Sequence, residues 1–180
     1  MVFFTHVLIF ALTTGTIGSS FERSSQDNHP TLEVLEKALN TNESFWLEER
    51  TYEITGHTCV YTKMSLLQGH HYEFDQHYKK DGRQVQRHLH AELSDGPEGA
   101  VMKVGRKAGP KIPYTLKYWE DDEKCGILML TKEGEEHCEL HVWNSHIQSD
   151  ISKCKEAYHT FCPARETHKV YKQDCNELRQ

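Results

Sequence analysis

The sequence predicts a mainly β protein: eight short antiparallel strands forming a barrel or a sandwich, with one helix before them and one after. Three observations carry this. Segments of about five to ten residues, rich in aromatic and β-branched types, follow one another between residues 44 and 143. Tight-turn signals separate them. On either side of that stretch apolar residues fall at helical spacing instead.

The first helix is expected over 31–40. Leu32, Leu35, Ala38 and Leu39 share a face, Glu33, Glu36 and Lys37 lie between them, and Thr31 after Pro30 can cap. Strands are expected at 44–53, 57–67, 71–79, 84–93, 99–105, 113–120, 126–131 and 138–143. The turns between them carry Gly56, Gly69, Asp81-Gly82, Asp95-Gly96-Pro97, Gly109-Pro110, Asp121-Asp122 and Gly134. Ser149-Asp150 is placed to cap a second helix, 151–161, which Pro163 stops, and 168–172 reads as a closing strand. The alternation of side chains along a strand assigns faces. Trp46 and Tyr52 share one face of the first strand. Tyr72, Phe74 and Tyr78 share one face of the third. Tyr114, Leu116 and Tyr118 share one face of the sixth, opposite Thr115, Lys117 and Trp119. In the eighth, Glu139, His141 and Trp143 oppose Cys138, Leu140 and Val142.

The length of 180 residues suits one folded unit, here 21–180. Residues 1–20 carry no Asp, Glu, Lys or Arg. They hold an apolar run, Val7–Leu12, followed by small residues up to Gly18 and Ser20, the pattern of a secretory signal peptide. The run is too short to span a bilayer. The net charge of -6, with no clustered cations, argues against nucleic acid as a partner. An acidic surface without an evident apolar patch makes a monomer the default.

Secretion makes the cysteines intelligible. All six (Cys59, Cys125, Cys138, Cys154, Cys162, Cys175) follow the leader, and an even count in an oxidising compartment implies three disulfides with 15 possible connectivities. Cys154 and Cys162 stand about 12 Å apart along one helix, beyond the ~7 Å limit between the Cα atoms of a disulfide, so each bonds elsewhere. Asn42-Glu43-Ser44 is a glycosylation sequon, which places Asn42 on the surface. His88 and His90 form a His-x-His pair that could bind zinc with His77 or His70. No residue that would orient them is identifiable in the sequence, and no metal or cofactor is expected. With no nucleophile elbow, HExxH or phosphate loop, no enzyme is expected either.

A helix, an eight-stranded barrel, a second helix and a closing strand make the architecture of a lipocalin, whose barrel can hold one small ligand. The C-terminal half resembles the tick salivary lipocalins, the histamine-binding protein family. The residues that carry the resemblance are Cys125-Gly126-Ile127, Cys138-Glu139-Leu140-His141-Val142-Trp143, and then Cys154, Cys162 and Cys175. His57-Thr58-Cys59-Val60 resembles the family's second strand. The resemblance implies the pairs Cys59–Cys175, Cys125–Cys154 and Cys138–Cys162. It also implies that Glu139 faces the barrel interior. There Glu139 would neutralise an amine, Trp143 and a tyrosine (Tyr118 or Tyr72) would stack on it, and His141 would hydrogen-bond. Alternatively Glu139 and His141 face solvent or pair with each other. Two departures matter: Gly126 stands where the family has Asp, which helps form a second amine site, and His141 stands where it has Trp or Tyr.

The expected function is sequestration of a small host inflammatory mediator, histamine or serotonin, with suppression of host defence. A lipid mediator, fatty acid or sterol in an apolar cavity is the alternative. A loop-mediated binder of a host immune or haemostatic protein is another.

Overall fold

A computed structural model describes residues 29–163 and 165–178. The leader 1–20 lies outside the described residues. The helix α1 (Leu32–Leu39) begins at Thr31, whose side chain accepts from the Val34 amide. Eight strands follow: β1 (Phe45–Arg50), β2 (His57–Gln68), β3 (His71–Lys80), β4 (Arg83–Ser94), β5 (Val101–Gly105), β6 (Lys111–Glu120), β7 (Cys125–Lys132) and β8 (Glu135–Trp143). Each pairs antiparallel with the next, and β1 pairs with both β8 and β2, which closes the barrel. The expected lipocalin-type barrel is therefore present. The hairpins turn where positive φ is tolerated, as at Asp81-Gly82 (φ 50° and 77°) between β3 and β4.

The seam of the barrel is shared. Phe45 and Trp46 of β1 pair with β2, whereas Glu49 and Arg50 pair with β9 (His168–Lys169). The closing strand is thus two residues long rather than the expected 168–172. It gives way to a 3-10 helix, Gln173–Leu178, that carries Cys175. The Cys59 amide donates to the Val170 carbonyl, and Cys59–Cys175 ties the same join covalently.

The helix α2 (Ser152–Phe161) packs outside the barrel. Its inner face, Cys154 and Tyr158, meets the outward residues of β7 and β8, Ile127, Leu140 and Val142. Cys125–Cys154 and Cys138–Cys162 staple the helix to these strands, so all three implied pairs are formed. The start of α2 differs from expectation. Ile151 occupies the cap position, and Asp150 beside it accepts from the Ser152 amide at 3.1 Å. Glu123, from the turn before β7, accepts from the Lys153 and Cys154 amides (3.1 and 3.0 Å). A carboxylate at the positive end of the helix dipole does this work across 30 residues of chain.

Two bulges overturn the face assignments of β1 and β6. In β1 an extra residue, Glu48, enters between Leu47 and Glu49. In β6 an extra residue, Lys117, enters between Leu116 and Tyr118. One added residue shifts the alternation by one for everything that follows. Trp46 and Tyr52 therefore sit on opposite faces: Trp46 packs in the outer layer, and Tyr52 reaches the inner residue Glu139. In β6, Tyr114, Leu116 and Trp119 turn inward while Tyr118 turns outward.

Candidate functional site

The barrel encloses a cavity of about 80 Å³. That is room for several waters or the core of a small ligand. The helix α1 closes one end with Leu35, Ala38 and Leu39. Around the wall stand Phe45, Tyr72, Phe74, Met102, Tyr114, Leu116, Trp119 and Leu128. Polar side chains also reach the wall: Thr62, Gln76, Glu139 and His141. Thr62 and Gln76 face each other across β2 and β3, and Glu139 lies opposite Leu128 on β7.

Glu139 is 6% exposed and points inward. One carboxylate oxygen accepts from the Tyr52 hydroxyl; the other meets His141 Nε2 at 2.8 Å. Burial pushes this carboxyl up, but the bond from His141, the bond from Tyr52 and the charge of Arg50 outweigh it and hold the pKa below the usual range. Glu139 is thus ionised at neutral pH. It is inward and also paired with His141, two arrangements that the sequence presented as alternatives. Arg50, opposite Glu139 in the β1–β8 register, is buried and lies over the Tyr52 ring at 4.9 Å. It also reaches His57. Burial first, then the charges of Arg50, Arg87 and Lys80, push the His57 pKa down to about 4, so this imidazole is neutral.

Of the five ligand candidates, Glu139, His141 and Tyr72 line the cavity. Trp143 lies inside the barrel one layer behind the wall, edge-on to Phe45 at 6.0 Å and 5.9 Å from Trp119. Tyr118 is corrected: the β6 bulge turns it away from the cavity to pack with the outer layer beneath α2, its hydroxyl on Glu120. Trp119 takes the inward place. Gly126 makes room for it, because a Cβ there would stand 2.9 Å from Trp119 Cε3 and 3.0 Å from the Tyr118 carbonyl oxygen. The indole thus occupies the space where a side chain at position 126 would stand. Sequence reasoning missed Trp119, Tyr52 and Arg50. Their aromatic or charged character was visible, but the bulges that turn them inward were not.

Asn42 is exposed in the loop between α1 and β1. Among the described residues, no helix is long and apolar enough to cross a membrane.

The sequence matches the tick histamine binding protein family over residues 23–177. Comparison with curated proteins finds no match. Among solved structures, the fold is similar to a serotonin complex of AM182 (18% identity, 78% of this chain and 91% of that one, TM-score 0.61). It is similar also to Japanin from Rhipicephalus appendiculatus bound to cholesterol (17% identity, 75% and 96%, TM-score 0.55). The siderocalin Ex-FABP shares the architecture (8% identity, 76% and 95%, TM-score 0.57). At these identities the likenesses speak for the fold.

Proposed function

Because the chain belongs to the tick histamine binding protein family, we propose that it is a secreted salivary lipocalin that captures a ring-bearing biogenic amine, histamine or serotonin, without turning it over. One observation carries the reading: an ionised, buried carboxylate, Glu139, stands on the wall of a mostly aromatic and aliphatic cavity. The ligand ammonium would sit against Glu139, with His141 and Gln76 beside it. Its ring would lie among Tyr72, Phe74, Tyr114 and Trp119, where dispersion and cation–π attraction both act. Capture at a feeding site would deplete the mediator and suppress host defence. The space filled by Trp119 beside Gly126 supports a single amine site.

A second reading keeps the fold and changes the ligand to a sterol or lipid. The observation favouring it is that Glu139 already holds two donors, Tyr52 and His141, near the charge of Arg50. Its charge is therefore partly answered within the protein, and most of the wall is apolar. Parallel titrations of the secreted, oxidised protein with histamine, serotonin and cholesterol separate the readings. Saturable one-site binding of an amine, with cholesterol silent, is the expected result. Cholesterol binding with both amines silent overturns it in favour of the second reading. Silence with all three leaves the barrel as a scaffold for loops that bind a host protein.

A further inference from the structure

The outer face of the β3–β4 hairpin carries a cluster that the ligand cavity does not use. From β3 it takes His71, Glu73 and Asp75, and from β4 His88 and His90. The register sets Glu73 opposite His90 and Asp75 opposite His88. Glu73 is the centre. Its Oε1 lies 2.8 Å from His71 Nε2 and 3.3 Å from His90 Nδ1, and its Oε2 lies 3.3 Å from His88 Nε2. One ligand atom from each of His71, Glu73 and His90 falls within 4.8 Å of the others. The second nitrogen of His88, Nδ1, is held by Asp75 at 2.9 Å.

Ordinary cross-strand pairing accounts for His90 with Glu73 and for His88 with Asp75. Beyond those pairs, a third imidazole, His71, turns onto the same carboxylate, and the second nitrogen of His88 reaches it diagonally at 3.3 Å. Three imidazoles and one carboxylate converging from neighbouring strands are a zinc-type donor set. Tetrahedral zinc with bonds of about 2.0 Å keeps its donors ~3.3 Å apart, and the His71 and His90 nitrogens stand 2.8 and 3.3 Å from one Glu73 oxygen, with His88 at 3.3 Å from the other. Asp75 supplies what the sequence alone left missing: a carboxylate that fixes one nitrogen of a histidine so that the other is presented to the metal. All six cysteines are in disulfides, so no thiolate competes for the ion.

We propose that His71, Glu73, His88 and His90 form a surface site for a divalent transition-metal ion, zinc in the first instance, with Asp75 orienting His88. His70 and His77, the partners considered from sequence, are engaged elsewhere: His70 with Glu36 and His77 stacked on Tyr61. The site shares a strand with the cavity but faces away from it, since Tyr72 and Phe74 point inward between its ligands.

The test is calorimetric titration of zinc chloride into the secreted, oxidised chain carrying no histidine tag. One ion per chain is expected. Glu73→Gln and His90→Ala should each weaken it by about tenfold or more, and Asp75→Asn by about 10- to 100-fold, as for loss of an orienting carboxylate. His77→Ala should leave it unchanged. The variants alter partly exposed side chains, and thermal unfolding of each confirms the fold. Absence of saturable one-ion uptake overturns the proposal. So does an isotherm unchanged in the His88→Ala/His90→Ala double variant, or weakening by His77→Ala equal to that by His90→Ala. Glu139→Gln should leave zinc binding intact, so failure of the amine reading does not touch this one.

Discussion

Gly126→Ala tests the packing that shapes the cavity. Two effects oppose each other. Alanine suits a strand better than glycine, by about 0.5–1 kcal/mol. Against this, the added methyl would stand 2.9 Å from Trp119 Cε3, 3.0 Å from the Tyr118 carbonyl oxygen and 3.4 Å from Leu116 Cδ1. The first two are too close, one is backbone, and the indole is wedged between Phe45 and Trp143. Overpacking of this kind costs about 1–3 kcal/mol. The expected net is a loss of up to roughly 2.5 kcal/mol, centred on about 1, read as a lower urea midpoint at constant m-value. Adding Trp119→Leu should relieve the clash, so the double variant loses less than the sum of the two single losses. A Gly126→Ala protein more stable than the parent by the roughly 0.5–1 kcal/mol that alanine alone supplies would refute the claim that Trp119 fills the space beside Gly126.

Other consequences are checkable in solution. Trp119→Phe should remove most of the tryptophan fluorescence change that accompanies ligand binding, while Tyr118→Phe leaves the affinity unchanged; the reverse would restore the unbulged face assignment of β6. Replacing Cys138 and Cys162 with alanine opens a link of sequence separation 24 and should cost about 3–4 kcal/mol on the chain-entropy estimate, measured by urea unfolding. The pH dependence of stability should carry the signature of His57, a base whose pKa is lower folded than unfolded. As pH falls from about 6.5 toward 4, the unfolded chain takes up its proton first and the native state loses stability. His57→Gln should flatten the stability profile in that window, and an unchanged profile would mean that His57 is not held neutral.

Much of the barrel was legible because its signals are local. Turn residues such as Asp81-Gly82 mark hairpins, Thr31 marks a helix start, and the crowding of cysteines after residue 125 marks a stapled helix. The inward direction of Glu139, His141 and Trp143 follows from simple alternation, which holds along β8. Alternation fails where a bulge adds one residue, and a bulge at Glu48 or Lys117 leaves no compositional mark. For that reason simple alternation offers Tyr118 to the cavity and sets Trp119 on the opposite face, and the Tyr52–Glu139 contact leaves no local signal. The Glu123 cap of α2 and the grouping of His71 with His88 and His90 depend on segments brought together by the fold, which no local window contains.

The central claim is that Glu139 holds a ligand cation inside the barrel. It is tested most directly by calorimetric titration of histamine and serotonin into the parent protein and into Glu139→Gln. The exchange keeps shape and removes the charge. Leaving a buried cation without its partner costs about 2–5 kcal/mol, so the affinity of whichever amine binds should fall by at least about 30-fold. Equal affinity in the two proteins would contradict the account and remove Glu139 from the binding of the amine.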